Sequence, residues 1–287
     1  MGRVDPTSLA GCSNEVGDVL SSTLILKISP PMQSWGVEDR FIKVRKTNRF
    51  PTKSGIVGLM AAALGWDRDD DLTELARLRM GVRIDAPGIL SKDFQTTRKP
   101  TSSRSKKEKQ EVSDRYFLQD AVFMVGLQSE DLGMLKDLEW ALKHPAFDLF
   151  AGRKSFVLND DFLIGVKEDT TIEDVFGSLK WQGDGHVLSG APLDLEVIMD
   201  DDGNGNDPIV LNDYPLSFDL NHREWSARRV NRSWIPAVFE VNEDVNEDDG
   251  SENGERSDAM SDDMFMLGEE VQANGSEASL SDSGENQ

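Results

Sequence analysis

The order of hydrophobic patterns along the chain predicts an α+β fold, a ferredoxin-like module of the RRM type with one long basic insertion and a β-rich C-terminal part. Three observations predict it. Between Thr23 and Pro145 the segments read strand, helix, strand, strand, helix, which leaves one strand to complete a βαββαβ unit. From Ser91 to Arg115 apolar periodicity stops, and from Phe147 onward short β-type runs take over. The expected organisation is a flexible leader at 1–22, the module at 23–146 with its insertion at 91–115, a β-rich subdomain at 147–239 and an acidic tail at 240–287.

Each element has a local reason. Thr23-Leu-Ile-Leu-Lys-Ile-Ser29 is rich in β-formers and stopped by Pro30-Pro31, as a first strand should be. Gly55 to Gly65 is apolar and small, with Thr52 or Ser54 before it as a cap and Gly65 as its stop. A short helix at 71–79 precedes a strand at 80–85. The run Tyr116 to Leu127 reads as one strand buried on both faces. Leu132, Leu135, Leu138, Trp140 and Leu142 recur near helical spacing up to Pro145. Beyond it, Phe147–Val157 and Phe162–Lys167 read as strands, Ile172–Leu179 as a helix, and 193–199 with 208–211 as a hairpin. The connecting segment from Asp200 to Asp207 has four aspartates and two glycines but Leu211 where a calcium loop needs glutamate, so it reads as a solvated turn.

Charge and cysteine content exclude whole classes. The 287 residues hold 31 Lys+Arg and 53 Asp+Glu, a net charge of −22. The last 48 residues contain 16 acids and one base, or −15, so the other 239 carry 37 acids and 30 bases, only −7. The tail is too polar to bury a core, whereas the body can still present basic patches. A single cysteine, Cys12, excludes an intramolecular disulfide and a cysteine-based zinc site, so no cofactor or metal is expected. The longest apolar run, Ile56–Trp66, is short of the roughly 20 residues a membrane helix needs, and no cationic flank with an apolar stretch opens the chain; a cytoplasmic protein is expected.

No catalytic motif emerges. His144 sits at a helix end before Pro145, His186 lies in a Gly-Asp-Gly-His loop, and only His222, beside Arg223, is placed for acid–base work on RNA. Thr52-Lys53-Ser54-Gly55 has the letters of a nucleotide-binding loop in the wrong order. Basic segments are more informative. Residues 40–53 carry Arg40, Lys43, Arg45, Lys46, Arg49 and Lys53 without an acid, and they end where a helix starts, so cations and helix N–H groups can meet one phosphate. The insertion supplies eight cations against four acids, among them Arg98, Lys99 and Arg104, on an arm able to wrap a strand. Arg153-Lys154 and the group Arg223, Arg228, Arg229 and Arg232 add two more patches. Trp35 and Phe94 offer flat rings for base stacking, although a Trp beside a Gly, as at Trp35-Gly36, is more often core than platform.

These segments carry a resemblance. Leu26-x-Ile28 with Pro31-Met-Gln-Ser-Trp-Gly36, then Arg49-Phe-Pro-Thr-Lys-Ser-Gly-Ile-Val-Gly-Leu59, closely resembles the CasD family, the Cas-five-type subunit of the type I-E CRISPR Cascade complex. Looser similarities follow at Asp93-Phe-Gln-Thr96, Arg115-Tyr-Phe-Leu-x-Asp-Ala121 and Gly152-Arg-Lys-Ser155, so the likeness spans about residues 23 to 239. It implies a RAMP protein that grips the 5′ handle of the crRNA, with the insertion as a thumb against the Cas-seven-type backbone subunit. It also implies the large PAM-reading subunit as a neighbour and target DNA as a ligand of the assembled complex. Gln33, Ser34, Trp35, Arg49, Thr52, Lys53 and Ser54 would line the handle site, Arg153 and Lys154 would contact phosphates, and Arg98 and Lys99 would lie in the thumb.

The chain departs from the family pattern in two places: Gln95 stands where the family has histidine, and Phe156-Val157 where it has Cys-Pro. The first removes an imidazole and favours a binding subunit over an enzyme. The alternative is a metal-independent endoribonuclease of precursor crRNA, whose acid and base would come from His222, Lys53 and Tyr116.

Overall fold

The computed structural model describes residues 21–36, 44–102, 105–183, 193–201, 203 and 208–239, with side chains from 97 to 109 left out. All described residues belong to one compact unit. The leader up to residue 20, Arg40, Lys43, Arg104, His186, most of the aspartate-rich turn and the tail from 240 lie outside the described residues.

The elements run β1 (Ser22–Ile28), β2 (Met32–Gln33), β3 (Val44–Arg45), α1 (Lys53–Leu64), α2 (Thr73–Arg77), β4 (Arg79–Ala86), β5 (Ile89–Ser102), β6 (Ser105–Gln119), β7 (Val122–Ser129), α3 (Leu132–Lys143), β8 (Leu163–Lys167), α4 (Ile172–Ser178), β9 (Asp194–Asp200), β10 (Ile209–Ser217) and β11 (Glu224–Pro236). They build a mixed α and β fold on two sheets. The larger has seven antiparallel strands in the order β10-β11-β9-β4-β7-β1-β8, and the smaller joins β2, β3 and β5 to β6. Among the described residues the pairing of β3 with β6 is parallel, as is the isolated bridge of Lys180 with Val238.

Helices cover both faces of the large sheet. Alternation along β1 sends Leu24, Leu26 and Ile28 into the main core with α1 and α3, and Ile25 into a second core with α4. Gly81 and Gly126 are register partners, and Cβ atoms there would stand 2.7 and 3.2 Å from Ile172, so their bareness lets α4 lie flat on the strands. Thr52 caps α1 by accepting from the Gly55 N–H, and Gly65, with φ 76°, ends it. Asp131 caps α3 in the same way through the Met134 N–H. Among the described residues no helix is long and apolar enough to cross a membrane.

Four expectations need correction. The insertion is not an irregular arm but a continuous antiparallel hairpin, registered from Ile89 with Gln119 to Ser102 with Ser105. Its strands pair with each other over most of their length, so they need no apolar alternation. The single strand expected at 116–127 is two strands in different sheets, broken where Asp120 takes φ 53° and donates its N–H to the Pro31 carbonyl at 3.1 Å. Phe147–Val157 is a loop closed by one bridge, Phe150 with Val157, because the Ala151 N–H turns back to the Phe156 carbonyl. Finally, β9 and β10 do not form a hairpin. Each pairs with β11, which at 13 residues is long enough for both, and β9 also pairs with β4, so the C-terminal strands continue the main sheet.

Candidate nucleic-acid interface

The motif around residues 31–36 works mostly as internal scaffolding. Trp35 is 1% exposed and donates its Nε1–H to the Gln33 Oε1 at 2.8 Å; buried Gln33 in turn donates Nε2–H to the Ala121 carbonyl. A Cβ on Gly55 would come within 2.9 Å of the Trp35 ring, so the start of α1 rests directly on the indole. The pair therefore fixes α1, and burial removes Gln33 and Trp35 from stacking or hydrogen bonding with RNA. Ser34 stays half-exposed. At Gly152, φ is 88° and a Cβ would fall 1.7 Å from the Ser34 carbonyl oxygen, so only glycine lets the 147–157 loop close on this segment.

Lys53 departs furthest from its expected role. It is 4% exposed and its Nζ pairs with Asp200 at 2.8 Å, while its backbone N–H donates to Asp213 at 2.8 Å. Arg228 closes the network, donating to Asp213 at 2.6 and 2.9 Å and to the other oxygen of Asp200. Burial lowers the Lys53 pKa, and Asp200 only partly offsets it. Burial also disfavours the Asp200 carboxylate, but Lys53 and Arg228 outweigh that and hold its pKa below the ordinary value. Two cations thus meet two acids, and Lys53 has no free charge for a phosphate. With the Lys53 N–H given to Asp213 and the Gly55 N–H to Thr52 at 3.3 Å, two of the helix donors expected to meet a phosphate are occupied by the protein itself. Thr52, buried as the cap, is occupied in the same way.

What remains open is a cleft of about 1400 Å³ along the exposed side of α1, floored by small residues such as Gly55, Gly58 and Ala62. Its lining cations are Arg45, Lys46, Arg68, Arg153, Lys154 and Arg223, against Asp67, Asp148 and Glu224. Ser34 and Ser54 also line it, as do the aromatic rings of Phe147, Phe218 and Trp225. Arg153 is the best anchored of the cations. Its Nη2 donates to the Tyr116 carbonyl at 2.9 Å, and its guanidinium lies 5.1 Å from the Phe156 ring and 5.8 Å from Phe117. Burial, then Arg115 and Arg45, lower its pKa against an opposing effect of Asp93.

The structure therefore gathers Ser34, Arg45, Lys46, Ser54, Arg153 and Lys154 around one cleft, with buried Trp35 and Thr52 also in its lining. Arg49 is exposed outside its lining, and β5 carries Arg98 and Lys99 away along the hairpin. Phe94 is 65% exposed on that hairpin. The 223–232 patch is largely neutralised, with Arg228 in the buried network, Arg229 against Asp201 at 3.4 Å and Arg232 against Glu196 at 2.6 Å. Arg68 was hidden in sequence by the four aspartates between 67 and 71.

A mixed αβ scaffold with antiparallel sheets and a cationic cleft on its first helix is the class of protein that fold and site define. The family described as CRISPR-associated protein (Cas_Cas5) matches residues 23–231, and the chain belongs to it. The CRISPR system Cascade subunit CasD of Escherichia coli (strain K12) is 31% identical over 163 residues, covering 51% of this chain and 71% of that protein. Two solved structures are similar. A chain of a CRISPR RNA-guided surveillance complex superimposes with a TM-score of 0.64 at 27% identity, over 75% of this chain and 90% of that one. A Cas protein crystal structure gives 0.58 at 35%, over 76% and 98%.

Proposed function

We propose that this protein is the crRNA-binding subunit of a type I-E Cascade surveillance complex and holds the 5′ handle of the guide in the α1 cleft without cutting it. One observation carries the reading: a cleft whose lining has six cations and three acids, in a chain whose body is net acidic. Such a local excess attracts the phosphate backbone, and aromatic rings beside it can stack splayed bases. Family membership and the Cascade name of the similar CasD protein support the same assembly. The strand order β8-β1-β7-β4, with α1 and α3 as crossovers, supports the ferredoxin-like RAMP reading.

The hairpin is the thumb in this proposal. Exposed Ile89, Leu90, Phe94 and Val112 suit it to contact the Cas-seven-type backbone subunit. The large PAM-reading subunit is the other neighbour, target DNA is met only through the assembled particle, and the setting is cytoplasmic. A non-catalytic role is supported by Lys53: as one of three residues available for acid–base chemistry, it is held in a buried ion network. The test is purified protein with labelled handle RNA and labelled repeat RNA in EDTA. Tight handle binding with no cut is expected, whereas a specific cut that disappears in His222→Ala would overturn the non-catalytic reading.

A further inference from the structure

The cleft cations differ from the other basic groups of the fold in having no protein partner of opposite charge. The ion pairs among the described residues take up Lys53, Arg228, Arg229 and Arg232, but none of the six cations that line the cleft. Beside those cations lie the rings of Phe147, Phe218 and Trp225 and a floor of small residues. A segment that fills such a cleft needs acids for the cations and adaptable apolar side chains for the rings.

The sequence holds a segment of that kind. Residues 240–287 carry 16 acids and one base, and the family match ends before them, at residue 231. Four large apolar residues are adjacent there, Met264-Phe-Met-Leu267, and Phe265 is the one aromatic residue of the stretch. Asp262-Asp263 precede the cluster and Glu269-Glu270 follow it after Gly268. Acidity keeps such a stretch in water, but it gives no reason for the cluster, whose apolar surface is unfavourable in water unless something covers it. Acids flanking Phe and Met reproduce two features of a single-stranded nucleic acid, negative charge and groups that pack on aromatic rings.

Tethering makes weak complementarity sufficient. The stretch follows an anchored end of the body, where Val238 bridges Lys180 and the Phe239 ring meets Trp181 at 5.7 Å. The link from 240 to 264 extends to about 80 Å at most, several times the radius of gyration of about 17 Å expected for a folded body of this length. At an effective concentration of about 1 mM, a segment with an affinity of only about 0.25 mM weakens a competitor roughly fivefold.

We propose that residues 258–270 are an internal occupant of the α1 cleft, an acidic and aromatic stand-in that a ligand must displace. Polyanions that offer charge alone are thereby held off, whereas a strand that adds base contacts takes the cleft. That RNA is the displacing ligand rests on the reading above.

The experiment has an arm without RNA and an arm with it, both on the full chain. Carbodiimide, which joins carboxylates to amines in contact, is applied to dilute RNA-free protein and the links are read by mass spectrometry. Links from Asp262, Asp263, Glu269 or Glu270 to Lys46 or Lys154 are expected, and handle RNA should abolish them. Handle-RNA affinity is then measured at low salt for wild type, for Phe265→Ser, and for Asp262→Asn, Asp263→Asn, Glu269→Gln and Glu270→Gln combined. The combined variant should bind about fivefold tighter and Phe265→Ser about twofold tighter. Absence of those links, or wild-type affinity in both variants, would overturn the proposal and leave the RNA reading intact. A gain confined to the combined variant would also overturn it, replacing a seated segment with diffuse repulsion. Links that form in a protein that binds no handle RNA would uphold the occupant and remove the RNA reading itself.

Discussion

Lys53 and Arg228 share their surroundings with Asp200 and Asp213, two cations with two carboxylates, and all four side chains are largely out of water. Arg45, Arg115 and Arg153 share theirs with Asp93, and Arg45 is exposed. In sequence the two groups look alike, since each takes a basic residue from a segment that resembles an RNA-binding family. In the folded chain the first ties the start of α1 to the strands β9, β10 and β11. The second has more cations than carboxylates, and Arg45 and Arg153 of it line the cleft. The lesson is that counter-charge, rather than the density of Lys and Arg along the chain, separates cations that hold the fold from cations available to a ligand.

Breaking the first group should give the largest effect. Asp200→Ala leaves Lys53 and Arg228 short of a buried partner, and removing one side of a buried ion pair typically costs about 3–5 kcal/mol, read as a lower urea midpoint. Handle-RNA affinity of the protein that stays folded should not change. The cleft group should behave in reverse. Arg45→Gln is expected to weaken handle binding about tenfold with little change in the urea midpoint, whereas Arg153→Gln should weaken binding to a similar extent and also lower the midpoint, because it gives up the Tyr116 hydrogen bond and the Phe156 contact. A third comparison uses pH. Because the folded Asp200 pKa lies below its ordinary value, its contribution is complete above the unfolded value near 3.9 and is lost as pH falls through the folded one. Urea midpoints measured from pH 6 down to about 3 should therefore fall less steeply in Asp200→Asn than in wild type. The smallest effect belongs to Arg232, exposed and paired with Glu196: Arg232→Gln should change stability by about 0–1 kcal/mol and leave RNA affinity unchanged.

Much of the scaffold was legible because its determinants are local. The Thr52 cap, the Gly65 stop, the alternation of β1 and the apolar period of α3 are each visible within a dozen residues. The hairpin was not, since strands that pair mainly with each other carry no buried stripe. Nor was the break at Asp120, where an aspartate takes a left-handed conformation without a glycine or proline to announce it. The site was legible as a set of basic segments but not in its division of labour. Lys53 is 147 residues from Asp200 and 160 from Asp213, so its neutralisation appears only in three dimensions. Trp35 likewise belongs to the core through Gln33 and Gly55, contacts that ring size and flanking glycine do not reveal.

The most direct test of this division is the salt dependence of handle-RNA binding. Six cleft cations predict a log–log slope of about −4 on a single strand, at roughly −0.7 per contact. The double variant Arg45→Gln, Arg153→Gln should flatten it by about 1.4, and Lys53→Met should leave it unchanged in folded protein. A slope that responds to Lys53→Met and not to the double variant would contradict the account.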